Sequence, residues 1–368
     1  MQTFFYYFKK ILFAKWCFRL PLKKKILLYD GEGDHIMSLF FKREDYEILD
    51  IRFERINISL ILMILIKRGL KDIKLNYFLE YFSQVKPEVV LTTIDNNVRF
   101  YTFKNYYKKS KFVSVQLSSR DERFYEQCRN FSKIKKETLT VDEFFVLSEN
   151  EKNRLSQIIK SNFHVIGTLK NNLYNQNKNN DGKKKVLFIS QIMSLQNFTL
   201  KEKPIFDELI DICKINNWEL SLCTKNSRFS INEYEKIYRK ILKEGSWSLI
   251  TGHKSKNAYE AINNNQLIIF TNSTLGLEAL IKRKKCISIP PDYFPFKGFN
   301  IKFDKEGPFW SCEFTKKKLN NLIQKVEKYS ENEWDNIIKK YIDNIMYFDP
   351  GNKIFLNYLR KQGLKIKV

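Results

Sequence analysis

Histidine and clustered cysteine are scarce in this chain of 368 residues. Only three histidines occur, and the six cysteines are widely scattered. No Cys-x-x-Cys pair or Cys/His cluster is present, which excludes the usual spacings of zinc ligands and of disulfide frameworks. We therefore expect reduced thiols, no metal site and no cofactor.

Long hydrophobic runs are also missing. No run reaches the roughly 20 apolar residues that a membrane-spanning helix needs. The longest candidate, residues 56–66, is interrupted by Asn57 and Ser59 and is followed by Lys67 and Arg68. This pattern predicts a buried helix instead of a membrane span.

Basic residues are abundant. Lys and Arg total 65 against 41 Asp and Glu, which gives a net charge of +24. A charge of this size attracts nucleic acid, anionic lipid or phosphorylated sugars. Residues 1–25 also interleave aromatic and basic side chains, which is typical of a segment at an anionic lipid surface and equally of a helix packed on its own domain. Charges interrupt their apolar stretch, so we expect a cytoplasmic protein without a signal peptide. The first of the two interpretations of residues 1–25 adds a peripheral position on the inner face of the membrane.

Short apolar runs alternate with helical segments along the chain, which is typical of parallel α/β sheets. A polar stretch at 169–184 interrupts this pattern, which then restarts. The length suits two domains. The sequence therefore predicts two Rossmann-like, doubly wound domains facing across a cleft. We expect an N-terminal segment at 1–24, domains at 25–168 and 185–346, a linker at 169–184 and a final segment at 347–368.

Polar residues follow the predicted strands of the first domain. Asp30, Asp95 and Gln116 each stand at the end of an apolar run. Ligands in open α/β sheets bind at the carboxyl edge of the strands, so we expect these side chains to face a shared cleft. The loop at 31–34 lacks Gly-x-Gly-x-x-Gly spacing and carries acids, so a dinucleotide site is not expected there.

The strongest candidate site lies at 268–280. An apolar strand ends, and a helix begins after the polar turn formed by Thr271, Asn272, Ser273 and Thr274. A helix start presents unpaired N–H groups and the positive end of the dipole to an anion. Gly276 would allow a phosphate or the other domain to approach. Helix capping explains one such residue, so phosphate binding is favoured while capping stays open.

The run Thr271–Glu278, with the basic residues at 282–285, resembles the donor-binding strand-turn-helix of bacterial surface-carbohydrate glycosyltransferases of the GT-B type. Other stretches are similar to the same group: Leu91-Thr-Thr-Ile-Asp-Asn96, Val113-Ser-Val-Gln116 with Arg120, Ile166-Gly-Thr-Leu-Lys-Asn171, Gly307-Pro-Phe-Trp310 and Tyr347-Phe-Asp-Pro-Gly-Asn352. The resemblance covers about residues 25 to 360. Ser118 departs from it, because the group often has glycine at that position.

The resemblance implies a metal-independent transferase with the acceptor on the first domain, the donor on the second, and a C-terminal helix that crosses back onto the first domain. The donor-binding set would be Thr271, Asn272, Ser273, Thr274, Gly276, Glu278 and Lys225. The catalytic candidates are Asp95, His253 and Asp30, and the acceptor-binding candidates are Gln116, Arg120 and Asn96.

Each role has an alternative. Asp95 could act as a general base, as a nucleophile, or only as the residue of an Asx-turn. His253 could face solvent, and Glu278 could be an exposed surface carboxylate instead of a ribose ligand.

The donor favoured by the resemblance is a CMP-linked acidic sugar such as Kdo, and the acceptor a surface glycan or lipopolysaccharide. Two other functions remain open. A nucleic-acid-binding protein fits the isoelectric point of about 9.5, although no nucleic-acid module is recognisable and the bases are spread over the chain, so no nucleic-acid partner is expected. A non-catalytic scaffold of polysaccharide assembly is the second alternative.

Overall fold

The computed structural model describes residues 13–52, 54–174, 182–190, 195–224, 231–251, 255–271, 273–289 and 304–367. Contacts divide the chain into two units, residues 1–169 with 352–368 and residues 170–351. The second unit thus begins earlier than residue 185. The stretch predicted as a linker contains a short helix, α7, at Leu169–Leu173.

The first unit contains a six-stranded parallel sheet with the strand order β3-β2-β5-β6-β7-β8. A separate parallel ladder joins β1 and β4. The strands are β1 Lys15–Cys17, β2 Ile26–Tyr29, β3 Tyr46–Leu49, β4 Arg55–Asn57, β5 Val89–Thr92, β6 Lys111–Val115, β7 Leu139–Val146 and β8 Ile159–Val165.

The helices of the first unit connect these strands. They are α1 Asp34–Met37, α2 Ile58–Arg68, α3 Ile73–Val85, α4 Phe103–Tyr106, α5 Glu122–Lys135, α6 Glu149–Ser156 and the C-terminal α15 Lys353–Lys361. Phe355 of α15 packs edge-on against Phe40 and Phe145, with ring centroids 5.3 and 5.1 Å apart. The C-terminal helix therefore belongs to the first unit, as the predicted fold requires.

Aromatic side chains fill the core between this sheet and its helices. Phe103 of α4 contacts Tyr29 of β2 and Phe82 of α3 edge-on, with centroids 5.4 and 5.2 Å apart. Edge-to-face rings of this kind add to the free energy gained from burial. The apolar runs that predicted β2 and β5 are completely buried, because helices cover both faces of a parallel sheet.

The second unit contains a five-stranded parallel sheet with the order β11-β10-β9-β12-β13. Its strands are β9 Lys185–Ser190, β10 Glu219–Thr224, β11 Ser248–Thr251, β12 Leu267–Phe270 and β13 Lys285–Ser288. Its helices are α8 Leu195–Lys201, α9 Lys203–Ile215, α10 Ile231–Ile241, α11 Ser255–Asn264, α12 Thr274–Ile281, α13 Lys316–Lys328 and α14 Glu331–Ile345.

Each sheet has a point where its strand order reverses. In the first unit the reversal lies between β2 and β5, and in the second it lies between β9 and β12. Crossover connections leave such a sheet in opposite directions at this point, and the gap at the carboxyl ends of the two strands is where open α/β sheets bind ligands. The two reversals therefore direct the search for a site to the residues after β2, β5, β9 and β12.

Helix α2 differs from its prediction. Leu60 and Ile64 are buried, but Leu62, Leu65 and Ile66 are exposed, so the prediction of a buried helix is wrong for one side of α2. Among the described residues, no helix is long and apolar enough to cross a membrane.

Candidate functional site

Two hydroxyl groups and one carboxylate meet at the strand reversal of the second unit. Ser190 ends β9 and Thr271 follows β12. Thr271 Oγ1 donates to Glu202 Oε1 at 2.5 Å, and Ser190 Oγ donates to Glu202 Oε2. Glu202 is fully buried. The carboxylate therefore fixes both hydroxyls at the carboxyl edge of the central strands.

Sequence reasoning missed Glu202. It stands between Lys201 and Lys203, where a charged residue is normally expected on a solvated surface. Pro204 was the available signal, because proline is favoured in the first turn of a helix and so marks Glu202 as the residue that precedes α9.

The predicted phosphate site is the start of α12. Ser273 is the residue before the helix, with an extended backbone, and Thr274 is the first helical residue. Within the described part of the chain, the Ser273 side chain makes no hydrogen bond that caps the helix. Capping by this hydroxyl therefore does not explain the serine. The helix begins just after the carboxyl end of β12, and the N–H groups in the first turn of a helix have no acceptor within the helix, as an anion site requires.

Gly276 is explained by packing. A Cβ atom at this position would lie 2.2 Å from Cγ of Phe270. The glycine lets α12 pack directly on the last residue of β12. The Phe270 ring therefore fills the space that a side chain at Gly276 would need. The sequence had suggested that a phosphate or the other domain approaches there.

Glu278 lies in a buried cluster instead of on an exposed surface, so the alternative of a solvent-facing carboxylate is wrong. Its Oε2 accepts a hydrogen bond of 2.7 Å from the Tyr259 hydroxyl. Tyr259 stacks on Tyr174 with centroids 4.5 Å apart, and Lys282 Nζ lies 5.4 Å from the Tyr259 ring. Burial lowers the pKa of Lys282 to about 8.

The strand reversal of the first unit opens into a cavity of about 390 Å³. Asp30 follows β2 and Asn96 follows β5, and both line this cavity. Arg52 and Arg99 line it as well. The cavity thus combines one carboxylate, amide groups and two guanidinium groups, which together can bind polar or anionic hydroxyl-bearing molecules.

Asp30 has an unusual backbone, with φ of 81°. Only glycine, asparagine and aspartate adopt positive φ readily. Its Oδ1 accepts the N–H of Glu32 at 3.1 Å, and its Oδ2 is 2.8 Å from a terminal nitrogen of Arg52. The carboxylate is therefore held in one orientation at the cavity wall.

Asp95 stands in the sequence between Ile94 and Asn96, which line the cavity, but it is not a lining residue itself. Its carboxylate is completely buried and pairs with Arg120 through two hydrogen bonds, with Arg120 Nε 2.8 Å from Oδ2. Burial raises the pKa of Asp95, and the Arg120 guanidinium opposes that shift. The pair joins the loop after β5 to the loop after β6. The structure therefore brings the two predicted residues Asp95 and Arg120 together, but each charged group is bound to the other.

Gln116 is also buried. Its Oε1 accepts the N–H of Leu147 at 3.1 Å, and its Nε2 donates to Glu151 Oε2 at 2.7 Å. The same Glu151 oxygen accepts the Tyr125 hydroxyl at 2.7 Å, and burial raises the pKa of Glu151. Gln116 thus joins β6 to β7 and α6, and it does not share the cavity with Asp30 and Asn96.

Three predicted residues, Lys225, His253 and Asn272, lie outside the described residues. Among the residues that are described, no group of three or more His, Cys, Asp or Glu side chains is arranged to hold a metal ion.

Comparison with known proteins gives a family and a fold. A family model described as "putative O-antigen biosynthesis protein" matches residues 118–363. No curated protein matches the sequence.

Several solved structures are similar to the chain over most of its length. One is described as a "putative UDP-N-acetylglucosamine 2-epimerase" from Listeria monocytogenes, with 12% identity, a TM-score of 0.54 and coverage of 92% of this chain and 96% of that chain. The UDP-GlcNAc 2-epimerase from Neisseria meningitidis bound to UDP-GlcNAc has 12% identity, a TM-score of 0.51 and coverage of 92% and 91%. Sucrose-phosphate synthase from Thermosynechococcus elongatus has 10% identity, a TM-score of 0.51 and coverage of 92% and 99%. These likenesses establish the fold, which is the predicted α/β GT-B fold.

Proposed function

Because this chain belongs to the O-antigen biosynthesis protein family, we propose that it is a glycosyltransferase that moves a sugar from a nucleotide-activated donor to a surface glycan or lipopolysaccharide. The observation that carries the proposal is the start of α12, which follows β12 at the strand reversal of the second sheet, with Ser273 not engaged in capping. A helix start in that position is suited to the phosphate of a nucleotide sugar.

In this proposal the leaving phosphate needs no metal. The N–H groups of the first turn of α12 and the hydroxyls of Ser273 and Thr274 meet the negative charge that develops as the glycosidic bond breaks. Glu202 has a positioning role, because it fixes the Thr271 hydroxyl at the same edge. Lys225 and Asn272 stay proposed donor ligands.

If the leaving phosphate needs no metal, excess EDTA should leave the transfer rate unchanged. A loss of activity that Mg²⁺ restores would contradict the proposal of metal-independent transfer.

For the acceptor we propose the cavity that Asp30 and Asn96 line in the first unit. Asp30 is the preferred base, because it lines that cavity whereas Asp95 does not, although the Asp30 carboxylate is also buried and paired with Arg52. Asp95, bound to Arg120, is better suited to positioning the loop that carries Asn96. Gln116 supports the neighbouring strands, and His253 stays a proposed catalytic residue. The sugar could be transferred with inversion or with retention.

A CMP-linked acidic sugar is our proposed donor, because a basic protein favours a sugar that carries its own carboxylate. A UDP-linked sugar is the second candidate, since a protein of the same fold is described with UDP-GlcNAc bound. We also propose a cytoplasmic location at the inner membrane face, with residues 1–25 as the contact.

A thermal-shift screen with CMP, UDP, GDP and single-stranded RNA tests the proposal. A ligand that binds only the native state raises the unfolding temperature, and the rise increases with the logarithm of the ligand concentration above its Kd. We expect one nucleotide to stabilise the protein and RNA to have no effect. Stabilisation by RNA alone, in a salt-sensitive manner, would favour the nucleic-acid alternative, and no response at all would favour the scaffold.

Epimerisation of a nucleotide sugar is a second candidate function, because two of the similar structures are described as 2-epimerases. The products separate the two activities. A transferase links the sugar to an acceptor, whereas an epimerase changes the sugar of the donor when no acceptor is present.

A further inference from the structure

Helix α2 is apolar on two opposite sides. Leu60 and Ile64 face the core, while Leu62, Leu65 and Ile66 are exposed. A surface helix of a soluble protein normally has one apolar stripe and one polar face. A helix that is apolar all round is normally covered on its second side as well. The exposed side of α2 therefore lacks a partner within the described residues.

The exposed side of α2 continues onto the segment before β2. Ser59 Oγ, at the start of α2, donates to the carbonyl of Phe18 at 2.5 Å, and Asn57 Nδ2 donates to the carbonyl of Arg19 at 2.7 Å. Phe18 and Trp16 are exposed in this segment, and Leu70 is exposed just after the end of α2. We call this surface, formed by Trp16, Phe18, Leu62, Leu65, Ile66 and Leu70, the α2 face.

The charged residues of the segments that form the α2 face are mostly basic, although Lys67 pairs with Glu80 of α3 at 3.1 Å. Residues 13–24 and 58–74 together contain eight Lys or Arg and a single acid, Asp72. A second copy of this chain would bring the same positive charge to the interface, and like charges in contact oppose association. Large apolar side chains ringed by bases instead match a bilayer of anionic lipid, which accepts the apolar groups among its acyl chains and pairs the bases with its headgroups.

We propose that the α2 face docks the protein onto an anionic lipid bilayer. This inference deepens the proposed membrane location, and it does not depend on sugar transfer. The docking surface is made by described residues of the first unit and does not include residues 1–12.

The test uses the full chain with vesicles of phosphatidylcholine, with or without phosphatidylglycerol. The double substitution Leu62→Ser with Ile66→Ser removes two large groups from the α2 face, where Ile66 is 86% exposed. The matched control is Ile134→Ser with Ile215→Ser, because these residues are 77% and 82% exposed on α5 and α9. Both variants should keep the wild-type unfolding temperature.

We expect the wild-type protein to sediment with vesicles that contain phosphatidylglycerol. The α2 variant should bind them at least about tenfold more weakly, since two side chains no longer leave water, and the control should bind as the wild type does. Equal binding by the α2 variant would overturn the inference and would leave residues 1–25, without the helix α2, as the proposed contact. Self-association that the α2 substitutions abolish, without vesicle binding, would also overturn it in favour of a second copy. Neither outcome bears on sugar transfer, which the nucleotide screen tests separately.

Discussion

At the scale of single residues, the buried Asp95–Arg120 pair concentrates charge inside the first unit. Removing one member of a buried pair leaves the other charge without compensation. We therefore expect Asp95→Asn to lower the free energy of unfolding by about 3 kcal/mol. The matched change Glu88→Gln breaks an exposed pair with Lys25 and should cost less than about 1 kcal/mol. Urea unfolding measures both, and equal effects would contradict the positioning role of Asp95.

Asp30 should separate catalysis from stability. Asparagine tolerates the positive φ at this position. The Asp30 carboxylate is buried, but the Arg52 guanidinium that would lose its partner is partly exposed and can be solvated by water. Asp30→Asn should therefore lower the free energy of unfolding by less than Asp95→Asn does, while kcat falls about 100-fold or more, as expected when a general base is removed. Unchanged turnover would remove Asp30 from the mechanism and return the role to Asp95.

Because Lys282 is buried, we expect the free energy of unfolding to depend on pH. Burial lowers its pKa from 10.5 in the unfolded chain to about 8 in the folded protein. Between these values the unfolded chain binds more protons, so the contribution of Lys282 to the free energy of unfolding rises as the pH increases from 8 to 10.5. In urea unfolding, the free energy of unfolding of the wild type minus that of Lys282→Met should therefore become more positive as the pH rises over this range. A constant difference would show that the ammonium group is not desolvated.

At the scale of elements, α12 and α14 begin with the same residue type in different roles. Ser330 forms a full capping box with Glu333 at the start of α14, whereas the Ser273 side chain does not cap α12. Ser330→Ala should lower the free energy of unfolding by about 1 kcal/mol and leave nucleotide binding unchanged. Ser273→Ala should cost much less stability and should reduce the thermal shift produced by the nucleotide. The opposite assignment of the two effects would mean that α12 does not hold the phosphate.

The same scale shows what sequence patterns can predict. Short apolar runs predict every strand of the two sheets within a few residues except β3, because a strand buried on both faces can be recognised locally. The strand β3 at Tyr46–Leu49 was not predicted. Helix α13 was missed although Leu319, Leu322, Ile323 and Val326 stand at helical spacing. The exposure of α2 was not predictable, since the sequence records that its residues are apolar but not what covers them.

The contacts of the candidate site were the least predictable part. Thr271 and Glu202 are 69 residues apart, and Asp30 and Arg52 are 22 apart. The pattern placed Asp30, Asp95 and Thr271 correctly at the ends of strands. A local pattern does not contain the long-range packing that buries Asp95 and Gln116 and sets their hydrogen bonds. It also does not show that Asp30 and Asn96 line a cavity.

At the scale of the whole molecule, each unit has a candidate ligand site at the reversal of its own sheet. The second unit presents a helix start suited to a phosphate, and the first presents a polar cavity with a fixed carboxylate. The net charge of +24 favours anionic partners for both units and for the α2 face. The proposed transferase uses one site for the donor and the other for the acceptor.

The most direct measurement is the mass of an acceptor after incubation with the protein and a panel of CMP-, UDP- and GDP-linked sugars. Lipopolysaccharide and lipid-linked glycans serve as acceptors, and the released nucleotide is quantified in the same samples. The account predicts that one donor releases its nucleotide while the acceptor gains the mass of one sugar, and that Asp30→Asn abolishes both changes. Conversion of a donor to its epimer without acceptor, or no change with any donor and acceptor, would contradict it.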